Sequence, residues 1–472
     1  MQKASMLING EEVLCKDVIE VNNPATNEVI ATVPNGGAEE ARAAVDAAYH
    51  AFPSWAKKTA GERSRLLRNW YNLINDHKDE LAKIMTKEQG KPFKEAQGEI
   101  SYANSFIEWY AEEAKRVYGD TIPASDSEKR IIVLKQPIGV VAAITPWNFP
   151  AAMITRKVAP ALAAGCTVVI KPAKLTPLTA IRLVELAYEA GIDKGAINLV
   201  TGHSASISDA WMKDERVRKV SFTGSTEVGK QLMKGSADTV KKVSLELGGH
   251  APFIVMEDAN IDEAVEAVTA SKFRNAGQTC VCTNRVYVQE GIYEEFVKQF
   301  AAAVEKLKVG NGMDEGVVIG PLINEEAVKK VKEQIRDAIE KGGELLTKEK
   351  KREGLFMQPA VIGHADDSMK CMNEETFGPL APVSAFKTKE EAIKRANDTS
   401  FGLAAYVFTR DISQAVEIAE SLEYGIVGLN DGLPSVAQAP FGGMKESGIG
   451  REGGKYGMDE FMEIKYVSLK LS

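Results

Sequence analysis

The sequence predicts an α/β fold built on parallel sheets. From residue 138 onward, short apolar runs are each followed by a stretch in which apolar residues recur at helical spacing. Short, uniformly apolar strands that alternate with helices are typical of parallel sheets covered on both faces. The 472 residues are 44% hydrophobic and 26% charged, which is enough for two or three domains, or one large compound fold, with a sizeable core. We find no internal repeat or low-complexity tract, so solenoids and arrays are excluded.

The first part of the chain is predicted to be helical. From about residue 38 to 116, apolar residues recur at helical spacing in AEEARAAVDAA, RLLRNWYNLI and ELAKIMTKE. A polar stretch from Gly119 to Arg130 follows, and the apolar run from Arg130 to Leu134 predicts a strand.

Strands and helices then alternate. We predict strands in IGVVAAITP, CTVVIKPA, AINLVTG and VRKVSFTGS, followed by helices at 151–164, in TPLTAIRLVELAYEAG, at 204–213 and from about 225. A second α/β unit begins near 247, with strands in PFIVME and RVYVQE and helices at 261–274 and 291–306. Open parallel sheets bind ligands at the carboxyl ends of their strands, so the loops there are the expected place of a site.

The tail, FMEIKYVSLKLS, alternates weakly between apolar and polar residues and predicts an edge strand that needs a partner. The partner can lie in the same chain or in a neighbouring subunit. We expect a neighbouring subunit.

The composition excludes several classes of protein. The 58 basic and 66 acidic residues give a net charge of -8, which argues against a nucleic acid or an anionic membrane as a partner. The five cysteines are an odd set without framework spacing, which favours a reducing compartment over a disulfide scaffold. Neither a signal peptide nor an apolar run of membrane-spanning length is visible. We therefore expect a soluble, cytoplasmic protein that acts on a small molecule.

Two glycine patterns approach nucleotide-binding motifs. The segment Gly448–Gly453 matches G-x-G-x-x-G, but no apolar strand precedes it, so we interpret it as a glycine-rich loop. The segment Gly224–Gln231 follows a strand and nearly matches a P-loop, but Gln231 stands where a magnesium-binding hydroxyl is required. What remains is a Gly-Ser turn before a helix, whose free N–H groups can hold a phosphate.

The candidate nucleophile is Cys280 in GQTCVC. A cysteine in a polar loop is reactive if it is exposed and its pKa is lowered, and the alternative is a small buried hydrophobe. A metal site at Cys280 and Cys282 is not expected, because no other Cys or His cluster completes a four-ligand set.

Polar residues at strand ends are further candidates. Glu246 lies in an apolar strand that ends in two glycines, where a carboxylate either has a raised pKa suited to a general base or pairs with a nearby lysine. Asn148 lies between prolines and can donate to an oxyanion, or is an ordinary turn residue. Lys171 and Lys174 follow a strand, where lysines can meet ribose or phosphate.

These segments together resemble the aldehyde dehydrogenase superfamily. Nearly the whole chain is covered by PWNFP, IKPA, FTGST, LELGG, GQTC, ETFGP and PFGGMKESG, in this order. The stretches AMITRKVAPALAAGC, KFRNAGQTCVC, EYGIVGLNDGLPS and GREGGKYG are similar to its succinate-semialdehyde dehydrogenase subgroup. The resemblance implies a Rossmann-like cofactor domain at 1–117 and 138–246, and a catalytic domain at 247–440. It also implies a small β element for oligomerisation at 118–137 and 441–472, in a homodimer or homotetramer.

The resemblance implies a covalent mechanism. The Cys280 thiolate attacks the aldehyde, and the thiohemiacetal passes a hydride to the nicotinamide. Asn148 and the backbone N–H of Cys280 form the oxyanion hole, and Glu246 activates the water that hydrolyses the thioester. A Glu at this place implies water rather than coenzyme A as the acyl acceptor.

The resemblance also implies cofactor contacts. They are Gly224 and Ser225 at the pyrophosphate, Trp147 and Lys171 at the adenosine, Leu247, and Glu375 at the nicotinamide ribose with Phe377 near the ring. Lys174 departs from NAD-preferring relatives, which commonly carry Glu there. A lysine cannot accept from ribose hydroxyls, and with Lys171 it makes a cationic corner suited to a 2′-phosphate. We predict NADP as the preferred cofactor, with NAD second.

The substrate side follows from the same resemblance. Corresponding Arg, Arg and Ser residues bind the substrate carboxylate in the subgroup, which implies Arg156, Arg274 and Ser435 here. Phe149, Met153 and Arg156 share one helix face after Asn148. The alternatives are a surface ion pair at one arginine, another substrate such as glutarate semialdehyde, and a cofactor-independent thiol esterase. In the subgroup that the chain resembles, the two cysteines can form a reversible disulfide that switches activity off, which implies a redox switch between Cys280 and Cys282 here as a hypothesis.

Overall fold

The computed structural model describes residues 2–348 and 350–471. Three residues lie outside the described part of the chain: Met1, Glu349 and Ser472. Met1 begins the predicted range 1–117, and Ser472 ends the predicted range 441–472.

Helices occupy much of the described chain. In chain order they are α1 Ala38–Lys57, α2 Ala60–Asp76, α3 Lys78–Gln89, α4 Phe93–Glu113, α5 Ala152–Ala164, α6 Pro177–Glu189, α7 Ser204–Lys213, α8 Thr226–Ala237, α9 Ile261–Phe273, α10 Tyr293–Glu305, α11 Glu325–Glu340, α12 Lys370–Asn373, α13 Lys389–Asn397, α14 Ile412–Ser421 and α15 Gly454–Asp459. Across residues 2–348 and 350–471, no helix combines the length and the apolar character that crossing a membrane would take.

The strands form four sheets. In chain order they are β1 Gln2–Lys3, β2 Met6–Ile8, β3 Glu11–Val13, β4 Val18–Asn22, β5 Val29–Pro34, β6 Asp120–Ile122, β7 Lys129–Pro137, β8 Val140–Ile144, β9 Thr167–Lys171, β10 Ile197–Leu199, β11 Val217–Thr223, β12 Lys242–Glu246, β13 Ala251–Val255, β14 Thr283–Gln289, β15 Glu344–Leu345, β16 Ala360–Gly363, β17 Leu380–Phe386, β18 Ala404–Phe408, β19 Ile426–Leu429, β20 Gly448–Ile449 and β21 Met462–Lys470.

The first large sheet has the order β20-β12-β11-β8-β9-β10-β2-β3. Its five central strands, from β12 to β10, are parallel, and the strands at both ends run antiparallel. The chain runs from β8 through β9 to β10 on one side, and then returns to β11 and β12 on the other. The strand order therefore reverses between β8 and β11, which is where ligands bind in open α/β sheets.

The second large sheet has the order β15-β16-β17-β14-β13-β18-β19 and is parallel from β16 to β19. Strands β13 and β18 are buried along their whole length, as helices cover both faces of such sheets. The predicted α/β fold with two sheet-based units is confirmed.

The tail strand corrects one expectation. β21 pairs antiparallel with β7 of the same chain along its full length, from Met462 opposite Pro137 to Lys470 opposite Lys129. The prediction that its partner lies in a neighbouring subunit is therefore wrong. The pairing in the same chain satisfies one row of backbone N–H and C=O groups, and the other edge of β21 remains open in the order β21-β7-β6.

The segment 441–472 divides between two sheets, because β20 extends the first large sheet while β21 joins β7. A further small sheet, β1-β5-β4, lies in the first 34 residues, to which the sequence assigned no strands. The division into three domains stays a prediction.

Candidate active site

A cavity of about 290 Å³ lies at the carboxyl ends of the first sheet, where its strand order reverses. The loops after β8, β11 and β12 supply one side, and the loop before β14 supplies Cys280. The structure brings together eight of the sixteen candidate residues in the lining: Trp147, Asn148, Gly224, Ser225, Leu247, Cys280, Glu375 and Phe377. Sequence reasoning missed Lys330, which lines the cavity from α11.

The loop that presents Cys280 has an unusual backbone. After α9, Asn275 and Ala276 adopt φ of 51° and 55°, and Gly277 has φ of 76°. A Cβ at Gly277 would lie 2.2 Å from the carbonyl oxygen of Gly378, so only glycine fits. The tight turn directs the chain back toward the cavity before β14 begins.

The surroundings of Cys280 raise the pKa of its thiol. Burial raises its pKa to about 12, against the lowering effect of Arg156 and Arg274 and with a further rise from Glu246. A thiolate that is removed from water loses its hydration, and this cost outweighs the two cations. The role of Cys280 as the nucleophile stays a prediction.

Glu246 ends β12 and is only 3% exposed. Burial, and then the charge of Glu452, raise its pKa well above 4.5. Its Oε2 is buried and accepts no hydrogen bond within the described part of the chain. The nearby lysines bond elsewhere, Lys241 to backbone carbonyls and Lys242 to Glu463. The geometry favours the general-base interpretation over the lysine ion pair.

A glycine keeps space beside this carboxyl. A Cβ at Gly442 would lie 2.9 Å from Glu246 Oε1 and 2.7 Å from the carbonyl oxygen of Gly450. Any side chain there would therefore press on the base.

Arg156 lies in α5 and is 2% exposed. Its Nη2 is 2.8 Å from Oε2 of Glu452, and its guanidinium lies 3.9 Å from the ring centre of Phe441. The alternative predicted for this residue was an ion pair at the surface. The observed ion pair is buried. Arg156 also lies close enough to Cys280 to be the strongest cationic influence on the pKa of the thiol.

Glu452 is a site residue that the sequence did not reveal. It is buried and pairs with Lys157 as well as with Arg156. Burial raises its pKa, but Lys157 and Arg156 outweigh burial and hold the pKa of Glu452 below 4.5. Lys157 and Glu452 are 295 residues apart in sequence, so no local pattern pointed to the pair.

Arg274 and Ser435 meet in a small pocket next to the cavity, together with Thr279 and Tyr406. The Arg274 guanidinium lies 5.2 Å from the ring centre of Phe149, and its Nε is buried without a partner among the described residues. An unpartnered buried donor is costly, and a ligand carboxylate would satisfy it.

Asn148 follows β8 and is 5% exposed. Its Nδ2 donates to the carbonyl oxygen of Gln278 at 3.0 Å, which ties it to the Cys280 loop. A side-chain amide has two N–H donors, so one stays available toward the cavity.

The cofactor candidates lie around the same cavity. Ser225 is the N-cap of α8, with its Oγ accepting from Val228 N at 3.4 Å. Glu375 accepts from the Gly249 N–H at 3.0 Å, and burial raises its pKa.

Trp147 packs edge-on against Phe377, with ring centres 5.6 Å apart. Trp147 thus lies beside Phe377, the residue expected near the nicotinamide ring, and its contact with the adenosine stays a prediction.

Lys171 and Lys174 lie outside the cavity lining, at the end of β9 and just after it. Lys171 is 3% exposed and Lys174 is exposed. Burial, and then the charge of Lys174, lower the pKa of Lys171 to about 8. The ammonium groups of Lys171 and Lys174 repel each other, so an anion that binds between them would be stabilised by both charges.

Cys282 is buried and lies outside the cavity lining. Its Sγ donates to the Gly277 carbonyl oxygen at 3.2 Å and is 4.0 Å from Lys272 Nζ. All five cysteines are free thiols, and the disulfide with Cys280 stays a prediction. Within the described ranges, no group of three or more His, Cys, Asp and Glu residues could hold a metal ion.

Comparisons with known proteins agree on one family. The profile of the Aldehyde dehydrogenase family matches residues 12–467. Succinate-semialdehyde dehydrogenase [NADP(+)] of Escherichia coli (strain K12) is 57% identical over 469 residues, covering 98% of this chain and 97% of its own. Glutarate-semialdehyde dehydrogenase of Pseudomonas putida is 56% identical over 466 residues, with 98% and 97% covered. The crystal structure of an E. coli NADP dependent enzyme has a TM-score of 0.98 at 56% identity, covering 100% of this chain and 98% of its own.

Proposed function

The chain belongs to the aldehyde dehydrogenase family, and we propose that it oxidises succinic semialdehyde to the carboxylic acid with NADP. The observation that carries the proposal is the placement of Cys280. Its thiol lies in a cavity with Asn148, beside a buried carboxyl and two arginines.

The first step is the attack of Cys280 Sγ on the aldehyde carbon. The thiol proton must leave, and Glu246 is the buried base whose charge acts on this thiol. As the carbon–sulfur bond forms, the aldehyde oxygen becomes an oxyanion. The free N–H of Asn148 Nδ2 and the backbone N–H of Cys280 donate to it, a type of contact that contributes about 10²–10³-fold in rate.

The residues around the cavity fit a nicotinamide cofactor. The N-terminus of α8 and Ser225 can hold phosphate oxygens, the Glu375 carboxyl can accept from ribose hydroxyls, and Trp147 and Phe377 form an aromatic wall. A nicotinamide held by these residues would supply the acceptor for the hydride that leaves the thiohemiacetal carbon.

The second step is hydrolysis of the thioester on Cys280. Glu246 takes a proton from water, whose oxygen attacks the thioester carbon, and the carbon–sulfur bond breaks to release the acid. The raised pKa of Glu246 means that its carboxylate binds a proton more strongly than an ordinary carboxylate does. A general base is most effective when its pKa approaches the operating pH. Gly442 leaves the space that this water needs.

The preference for NADP rests on Lys171 and Lys174. Burial and mutual repulsion lower the pKa of Lys171, and a 2′-phosphate would relieve the repulsion by pairing with both ammonium groups. The NADP(+) name of the E. coli relative agrees with this assignment.

The substrate carboxylate is assigned to Arg274 and Ser435, with Arg156 as a second cation. Both arginines have buried donors without a hydrogen-bond partner among the described residues, Nε of Arg274 and Nε and Nη2 of Arg156. The charge of Arg156 is balanced by the ion pair with Glu452, so we assign Arg274 as the main ligand. Glutarate semialdehyde is the second candidate. The Pseudomonas putida relative carries that name, and one methylene changes binding by only about 1–3 kcal/mol.

Two further assignments concern the whole enzyme. A homodimer or homotetramer is supported by the open edge of β21, which exposes Ile464, Tyr466 and Leu469. A reducing compartment such as the cytoplasm is supported by the five free thiols.

The test is the reduction of NADP or NAD by the purified enzyme with succinic semialdehyde, glutarate semialdehyde or propanal. We expect the highest kcat/KM with succinic semialdehyde and NADP. Turnover of propanal with poor use of both semialdehydes would overturn the carboxylate assignment. A kcat/KM for NAD that equals or exceeds that for NADP would overturn the cofactor assignment.

A further inference from the structure

The loop that presents Asn148 is held by charged residues from outside the active-site motifs. Residues 145–151 connect β8 to α5, and α5 begins at Ala152 without a side-chain cap of its own. The first N–H groups of a helix need acceptors. Glu99 of α4 supplies one, because its Oε1 accepts from Ala151 N at 2.9 Å and from Ala152 N at 3.3 Å.

Lys91 holds the middle of this loop. Its Nζ donates to the backbone carbonyl oxygen of Asn148 at 2.8 Å and lies 4.0 Å from the ring centre of Phe149. It also forms an ion pair with Oε2 of Glu99. Lys91 is 2% exposed and Glu99 is 4% exposed, so solvent does not weaken the pair.

The same residues reach the Cys280 loop. Asn275 Nδ2 donates to the Asn148 carbonyl oxygen at 3.0 Å and to the Gln278 carbonyl oxygen at 3.2 Å. Gln89 Nε2 donates to Asn275 Oδ1 at 2.9 Å, while its Oε1 accepts from Lys91 N at 2.9 Å. The Asn148 loop and the Cys280 loop are therefore fixed to one another through residues 89–99.

We propose that Lys91 and Glu99 are positioning residues that aim the Asn148 amide at the oxyanion formed on the substrate. The inference rests on the proposed thiohemiacetal chemistry, in which that amide donates to the oxyanion. Neither residue touches the cavity, so both act through the loop. A displacement of about 1 Å of such a donor lowers the rate about 10²-fold.

The main variant is Lys91→Met, which keeps the length of the side chain and removes its charge and donors. We expect kcat to fall about 10²-fold, while KM for NADP changes less than about threefold. Alkylation of Cys280 by iodoacetamide forms no oxyanion, so its rate is expected to stay within about twofold of wild type. A loss of structure would change both readouts, whereas a misplaced donor changes only turnover.

The matched control is Lys219→Met in β11. Lys219 is fully buried and its Nζ is 3.1 Å from Glu460 Oε2, but none of its contacts reaches the Asn148 or Cys280 loops. We expect this variant to lower Tm and to keep kcat.

A double variant tests the proposal if Lys91→Met alone does not fold. Lys91→Met alone leaves Glu99 as a buried unpaired charge, which is strongly destabilising, whereas Lys91→Met with Glu99→Gln removes both charges. The amide oxygen that Glu99→Gln introduces would still accept from the N–H groups of Ala151 and Ala152. Because the two residues act as one unit, the double variant is expected to lose about as much kcat as Lys91→Met.

The outcomes separate the two proposals. A wild-type enzyme that oxidises no aldehyde would overturn the proposed function. A wild-type enzyme with normal turnover, together with a Lys91→Met or double variant that matches its kcat, would overturn the positioning role alone.

Discussion

Replacing Arg274 with Leu isolates the substrate carboxylate. Arg274 lies against Phe149 and shares a small pocket with Ser435, and its Nε has no partner among the described residues. No described acidic side chain forms a salt bridge with it. The substitution therefore breaks no ion pair in the fold, and its main effect falls on the bound ligand.

The size of the effect follows from these contacts. A hydrogen bond between charged groups contributes about 1.5–3 kcal/mol, which corresponds to about 10–150-fold in kcat/KM. The loss is expected with succinic semialdehyde and not with butanal, which has the same chain length and no carboxylate. Arg274 also lowers the pKa of Cys280, but that contribution acts on both substrates and cancels in their ratio.

The assay is the initial rate of NADPH formation for wild type, Arg274→Leu and a control, with both aldehydes. Arg182→Leu is the control, because Arg182 pairs with Glu80 at 2.8 Å and with Glu189 at 2.9 Å on the surface of α6. Surface pairs of this kind contribute about 0–1 kcal/mol to stability. Equal losses with butanal and succinic semialdehyde in Arg274→Leu would refute the carboxylate assignment.

Three other perturbations have defined outcomes. Glu246→Gln is expected to slow the burst of NADPH and to abolish steady turnover, because Glu246 takes the thiol proton in the first step and a water proton in the second; a burst at the wild-type rate in stopped-flow absorbance would contradict the first role, and wild-type steady turnover would contradict the second. The same variant should gain Tm over wild type at pH 8 and not at pH 4, because burial raises the pKa of Glu246 and the stability given by its protonated form is lost as pH rises above 4.5. Lys171 is charged below its pKa of about 8, so kcat/KM for NADP should fall between pH 7 and 9 while that for NAD does not; parallel profiles would exclude a phosphate contact. Cys282→Ala should abolish the dithiothreitol-reversible part of inactivation by hydrogen peroxide, and an unchanged reversible part would rule out the disulfide switch.

The sequence predicted local elements well where the apolar pattern was long. The helix expected at 204–213 is α7, Ser204–Lys213, and the helix expected at 261–274 is α9, Ile261–Phe273. Asn148 and Gly224 follow predicted strands, and parallel strands bring their carboxyl ends to one edge. Leu247 was implied by the resemblance to the aldehyde dehydrogenase superfamily.

What the sequence could not predict depends on distant neighbours. The partner of β21 is β7, more than three hundred residues earlier, and a strand pattern carries no information about its partner. The raised pKa of Cys280 results from burial by loops of both sheets. Lys91 and Asn148 are in contact although they are 57 residues apart in the sequence, and no motif in either segment predicts this contact.

The high pKa of Cys280 has a consequence for the durability of the enzyme. At a pKa of about 12, only about one thiol in 10⁵ is ionised at pH 7. Peroxides and electrophiles attack the thiolate, so the small ionised fraction slows chemical damage at Cys280. A covalent inhibitor aimed at this thiol would have to react through the same small thiolate population.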